Sequence, residues 1–258
     1  MEWMQVPRIL MAGQPDGLDV ALLAVGILLA FAVVAAAIAQ IVVMVGYWKG
    51  NRTQNSLGLT GGDCARQLLD RNGMPEVQVK KCTLLRTLLF GNHYSVWRKT
   101  VYLRILTIEK TSVTSLAMAA QKAALAEQHH KGDRAMIFRS RMQGLGVFAP
   151  ILFLPLVILG LLLDVLVLES LVLFPITLVL GLLFILLGFV ATLLNIPVEK
   201  KAMARAEEWL SESLTPQEVA MVHTIYRSYM VEYVLQFVIA LLRMIQLILK
   251  VMRAAKKK

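Results

Sequence analysis

The sequence is short of the residues that build many common sites. It holds two cysteines, Cys64 and Cys82, and four histidines in 258 residues. The cysteines form no CxxC pair and no Cys/His cluster, which excludes a disulfide framework and a zinc knuckle. They read as two small buried thiols in a reducing compartment. Acidic residues are also scarce, 17 against 27 Lys and Arg, for a net charge of +10. That balance can signal nucleic-acid binding. The basic residues, however, are scattered over both faces of the predicted elements, with no Gly-rich loop and no aromatic-interleaved basic strip. A nucleic-acid partner is therefore set aside. Basic residues beside long apolar runs mark the cytoplasmic side of a bilayer and its anionic headgroups, with Lys256 to Lys258 the clearest case.

Apolar residues are abundant: 57% of the chain is hydrophobic and the mean hydropathy is +0.64. Such a composition points to a membrane protein with one modest polar domain and membrane lipid as its surroundings. After an N-terminal segment, 1–19, residues 20–47 read as a transmembrane anchor, because 20–46 carry no charge and one Gln. A signal peptide competes, since Ala37-Ile38-Ala39 resembles a cleavage site. The segment before it is acidic, however, and apolar residues continue past Ala39.

Residues 48–144 form a polar domain with sixteen Lys/Arg and six Asp/Glu. LTGGDCARQLLDRNG predicts a helix, with Thr60 as its cap, Leu68 and Leu69 on its buried face and Gly73 at its end. PEVQVKK alternates as a strand, and HYSVWRKTVYLRI predicts two strands with a turn near Arg98-Lys99. A second helix runs from about Ser112 to His130. Residues 145–194 predict a transmembrane hairpin of two apolar runs, 145–163 and 171–194, with Asp164 and Glu169 at its tip. Proline occurs in both runs (Pro150, Pro155, Pro175), which membrane helices tolerate. Residues 195–227 return as a charged amphipathic helix region. In the last segment, 228–258, Glu232, Gln236, Arg243, Gln246, Lys250 and Arg253 fall on one stripe of an apolar helix. That helix either spans, with its stripe turned inward, or lies in the interface. Its AAKKK tail favours a cytoplasmic end, which conflicts with four full spans. The expected fold class is an α-helical membrane protein with three transmembrane helices and an open fourth. Lys/Arg asymmetry puts the α+β domain of 48–144 in the cytoplasm, on the same side as 195–227, and the Asp164/Glu169 tip outside.

The ordered pieces Gly58 to Gly61, Asn72-Gly73, His93-Tyr94, Gln128-His129, Arg139-Ser140 and Asn195-Ile-Pro-Val-Glu199 resemble the YugP-like membrane zinc metallopeptidases over nearly the whole chain. The resemblance implies a zincin-like domain. It also implies an H-E-x-x-H helix, whose two imidazoles bind zinc while its glutamate acts as the base, and a third ligand from the glutamate of N-x-P-V-E. Here the motif positions read Gln121-Lys122-Ala123-Ala124-Leu125, so only Glu199 remains. An amide is a poor zinc ligand, leucine has no donor, and an ammonium repels a dication and cannot accept a proton. No metal or other cofactor is expected, and the degenerate zinc positions are Gln121, Lys122, Leu125 and Glu199.

If Glu199 still faces the old site, its charge needs a partner, and a direct or water-bridged Lys122–Glu199 contact is expected. The alternatives are that Lys122 points to solvent and that Glu199 is a helix N-terminal charge after Pro197. His129 lies about 12 Å along the helix from Gln121 and reads as structural or exposed. His93, with Tyr94, reads as an orienting or packing residue, and Asn195 as a structural one. His223 has no partner in sequence. The leading expectation is a catalytically inactive homologue acting as a binding or regulatory subunit. Its partner would be an active metallopeptidase relative or a membrane-protein substrate. A structural scaffold, and an active enzyme with a site rearranged around His129, His130 and Glu199, are the alternatives.

Overall fold

A computed structural model of the chain describes residues 16–168 and 172–256. The expectations placed on residues 1–15, Glu169, Lys257 and Lys258 lie outside the described residues. Helix α1, Gly17–Arg52, carries the first apolar run beyond both expected ends. Helix α2, Gly61–Arg71, starts where expected: the Thr60 side chain accepts from the Asp63 backbone N–H. It stops before Gly73, whose φ of +70° lies in the left-handed region that favours glycine.

Strands β1 (Gln78–Lys81), β2 (His93–Ser95) and β3 (Thr100–Leu103) form a three-stranded sheet in the order β1-β3-β2. The β1–β3 pairing is parallel and the β2–β3 pairing antiparallel. Lys99, at φ 42°, makes the hairpin turn. Two short helices were not expected, α3 (Leu84–Leu89) and α4 (Ile105–Ile108).

The core of this domain is α5, Val113–His130, capped by Ser112. Every residue from Val113 to Gln128 is buried. Six of its positions between 117 and 126 are alanines, and these small side chains let α2, the sheet and the later helices Leu173–Ser211 and Pro216–Lys256 approach closely. The Tyr226 hydroxyl donates to the Ala117 carbonyl at 2.7 Å, and Gln128 Nε2 to the Val198 carbonyl at 3.1 Å. Helix α5 is thereby fixed against two of the long helices.

Three long helices follow: α6 (Arg134–Leu163), α7 (Leu173–Ser211) and α8 (Pro216–Lys256). Each runs through an expected segment boundary, at 144/145, 194/195 and 227/228. Helix α7 continues through Pro197, so Glu199 lies in mid-helix. The reading of Glu199 as a helix N-terminal charge is corrected: the turns on both sides of Pro197 stay helical, and the chain does not restart there.

Among the described residues, two helices are long and apolar enough to cross a membrane, Gly17–Arg52 and Pro216–Lys250. The hairpin contributes shorter apolar stretches, Pro155–Val167 and Leu173–Phe184. The segment left open in the sequence is thus one of the two that qualify. Helices α1 and α8 are antiparallel, with Arg253 2.9 Å from Asp19 at one end and Gly50 against Ile225 at the other. Helix α8 packs on α1 and α7, and α7 on α6. Asp164 is buried where α6 gives way to a π-helical turn, Asp164–Leu168, and accepts from the backbone N–H groups of Leu173 and Phe174. It closes the hairpin rather than projecting from it.

Candidate functional site

Helix α5 and the middle of α7 face each other, and α6 closes one side. Glu199, 1% exposed, projects from α7 toward α5. Its Oε2 accepts from Gln121 Nε2 at 2.7 Å and lies 3.5 Å from Lys122 Nζ. Its Oε1 accepts from Arg139 Nη2 at 2.6 Å. Arg139 Nε in turn donates to Asn195 Oδ1 at 2.6 Å, one turn before Glu199 on α7. The expected Lys122–Glu199 contact is therefore present and direct, and Lys122 does not point to solvent.

The electrostatics of the pair are asymmetric. Burial pushes the Glu199 carboxyl up, but Lys122 and Arg139 outweigh it and hold the group below the ordinary 4.5. Burial pushes the Lys122 ammonium down from 10.5; Glu199 opposes that and Arg139 adds to it. The carboxylate has two cations to stabilise it, whereas Lys122 has one anion and a competing cation. With both ionised, the cluster carries one excess positive charge.

Beside this cluster lies a polar cavity of about 110 Å³. Lys122, Leu125, Arg139 and Glu199 line it, together with His93, Tyr94 and Tyr233. His93 stacks on Tyr102, with ring centroids 5.1 Å apart, and its Nδ1 is 3.0 Å from the Gly91 carbonyl. A carbonyl only accepts, so Nδ1 carries the hydrogen and Nε2 is left as an acceptor. Burial lowers the His93 pKa. Tyr94 OH and His129 Nδ1 are 2.9 Å apart, and burial pushes the Tyr94 phenol up to about 12.

Of the residues singled out in the sequence, Gln121, Lys122, Leu125, Glu199, His93, Tyr94 and Asn195 gather here, and His129 joins through Tyr94. His130 points away, 3.4 Å from Glu76, so it does not meet His129 and Glu199 in a rearranged metal site. His223 pairs with Glu207 at 2.9 Å. The α8 stripe is separate: Gln236 donates to Glu232 at 3.0 Å, while Arg243 and Lys250 are exposed and Gln246 is half-buried. Sequence reasoning gave Arg139 no role at the site, although Arg139-Ser140 is among the pieces that carry the resemblance, and it missed Tyr233, which nothing in sequence marked.

The comparisons bear on this arrangement. The family model described as "putative neutral zinc metallopeptidase" matches residues 25–252. The chain belongs to that family. A curated relative, the "putative membrane protease YugP" of Bacillus subtilis (strain 168), is 29% identical over 120 residues, 45% of this chain and 52% of the relative. The match thus spans about half the length of that relative. No solved structure matches the chain.

The family description implies zinc, and the donor set here does not suit it. At the carboxylate, the positions nearest Glu199 are held by an amide N–H, an ammonium and a guanidinium, all of which donate. Leu125 offers hydrocarbon. Among the described residues no group of three His, Cys, Asp or Glu side chains gathers that could hold a metal ion. A dication at this point would meet two fixed positive charges and too few lone pairs.

Proposed function

We propose that this protein is a non-catalytic member of the zinc metallopeptidase family, a membrane-bound binding or regulatory subunit. The observation that carries the reading is the occupancy of the Glu199 carboxylate. Gln121, Lys122 and Arg139 satisfy it with three donors, so a group suited to be a metal ligand is used as the anion of an ion cluster. As an ammonium paired with Glu199, Lys122 cannot take a proton from water.

What remains is a recognition surface. β2 pairs with β3 alone and lies at the sheet edge, and its residues His93 and Tyr94 line the cavity. An extended segment can add to that edge through its backbone and place one small side chain or terminal group in the cavity. The partner would be an active relative or a membrane-protein substrate, with the domain on the cytoplasmic face. The small cavity also suits a second reading, a structural membrane component in which the groove is largely filled.

The test is peptide hydrolysis by the purified full-length protein, with and without chelator, beside a parallel co-purification from native membranes. The expected result is no chelator-sensitive cleavage and a stoichiometric membrane-protein partner that is lost when His93 and Tyr94 are both changed to Ala. Chelator-sensitive turnover would overturn the reading. A partner retained by that variant would favour the structural one.

A further inference from the structure

The polar domain carries a patch that its own core does not use. On α3, Leu84, Leu85 and Leu88 are 80%, 67% and 76% exposed. At spacings of one and four residues they share one helix face. Arg86 turns the other way, its guanidinium 4.3 Å from the Tyr102 ring centroid, and so holds α3 to β3 with the leucines outward. Ile105 and Leu106 on α4 are also about half exposed. They adjoin α3, because Cys82 N–H donates to the Leu103 carbonyl and Arg104 N–H to Asn92 Oδ1. A cluster of large apolar side chains this open marks a contact surface.

The level of the patch along the long helices identifies what covers it. Phe90, the residue that ends α3, lines the cavity together with Arg139, Glu199 and Tyr233. The twenty residue steps of α8 from Tyr233 to Arg253 rise about 30 Å, the thickness of a bilayer's hydrocarbon core. The twenty-two residue steps of α7 from Leu173 to Asn195, beside Arg139, rise about 33 Å. The cavity therefore stands one hydrocarbon thickness from the far ends of both helices. Charge agrees with this placement: residues 78–110 hold seven Lys/Arg and one acid, Glu109. Apolar side chains rimmed by cations suit the boundary between acyl chains and anionic headgroups.

We infer that α3 and the adjoining face of α4 dip into the leaflet on the polar domain's side of the bilayer, so that the cavity behind Phe90 opens at the membrane surface. Its ligand then arrives along the plane of the bilayer, as a juxtamembrane segment does. The inference rests on α1 and α8 spanning the membrane and is independent of whether the site is catalytic.

The experiment uses the full chain in vesicles of mixed zwitterionic and anionic phospholipid. The variants Leu85→Cys, Val34→Cys on the exposed face of α1 and Ser213→Cys in the α7–α8 connection each receive an environment-sensitive fluorophore. Cys64 and Cys82 are buried, and the wild type treated in the same way supplies the background. Quenching by lipids spin-labelled near the headgroup is expected at Leu85→Cys, several-fold above Ser213→Cys, with protection from aqueous iodide. Iodide quenching at Leu85→Cys equal to that at Ser213→Cys, with Val34→Cys quenched by lipid, would overturn the inference and leave the spans intact. Shielding from both quenchers would overturn it in favour of a protein partner. Loss of lipid quenching at Val34→Cys would remove the spans and the inference together.

Discussion

Lys122 Nζ and Glu199 Oε2 are 3.5 Å apart, and Arg139 holds the other oxygen of the same carboxylate at 2.6 Å. The two cations depend on one anion, so the substitutions are not equivalent. Glu199→Ala leaves an ammonium and a guanidinium buried without their counter-charge and is expected to cost about 3–5 kcal/mol. Lys122→Met leaves Glu199 with Arg139 and Gln121 and removes a charge that burial opposes, so it costs much less. Chemical unfolding in detergent checks the order; equal losses would show that the cluster does not work as a unit.

Gln121 and Leu125 are one helical turn apart and both face Glu199. The triple change Gln121→His, Lys122→Glu and Leu125→His would therefore supply two imidazoles and an acid on the correct face of α5. Isothermal titration is expected to show zinc binding by this variant and none by the same variant carrying Glu199→Ala. Binding that survives loss of Glu199 would mean the α7 carboxylate does not reach the metal.

Three carboxylates tie α5 and α6 to α7: Glu127 with Arg205, Asp133 with Lys201, and Glu199 with Arg139. All are held below their ordinary values. For Asp133 the Lys201 hydrogen bond is the main cause, while for Glu127 and Glu199 burial pushes up and the cations outweigh it. The folded state binds fewer protons than the unfolded state in that range, so this stabilisation is present above the ordinary values of 3.8 and 4.5 and is lost as pH falls below them. Thermal midpoints should be flat from neutral pH to about 5 and drop steeply below 4. Arg205→Met and Lys201→Met together should flatten that drop.

Gly61 lies at the start of α2, where a Cβ would run into the Thr107 carbonyl oxygen and crowd that of Ser115. Both obstacles are backbone and cannot rotate away. Gly61→Ala is expected to destabilise by about 1–3 kcal/mol, whereas Gly26→Ala, with open space around it, should be neutral or slightly stabilising. Paired unfolding curves in detergent check this.

Much of the polar domain was legible because its signals are local. Thr60 and Ser112 cap helices, Gly73 ends one, and the Arg98-Lys99 turn joins two alternating strands. Helix α3 was missed because LLRTLL turns at least three of its leucines outward, where no core periodicity can reveal them. The continuity of α7 was missed because Pro197 reads as a break, and here packing against α5 and α6 overrides that local preference. The site was half legible. The resemblance brought Gln121, Lys122, Leu125 and Glu199 together, and charge balance gave the Lys122–Glu199 contact. Arg139 is 60 residues from Glu199 in sequence. The resemblance includes Arg139-Ser140 without giving it a role, and only the packing of α6 against α7 brings that arginine to the carboxylate.

The most direct measurement is the zinc content of the wild-type protein, purified without chelator from cells grown in zinc-replete medium. If the carboxylate of Glu199 belongs to its ion cluster, the protein carries only trace metal, and Glu199→Ala does not change the amount. One zinc per chain, lost on that substitution, would contradict the account.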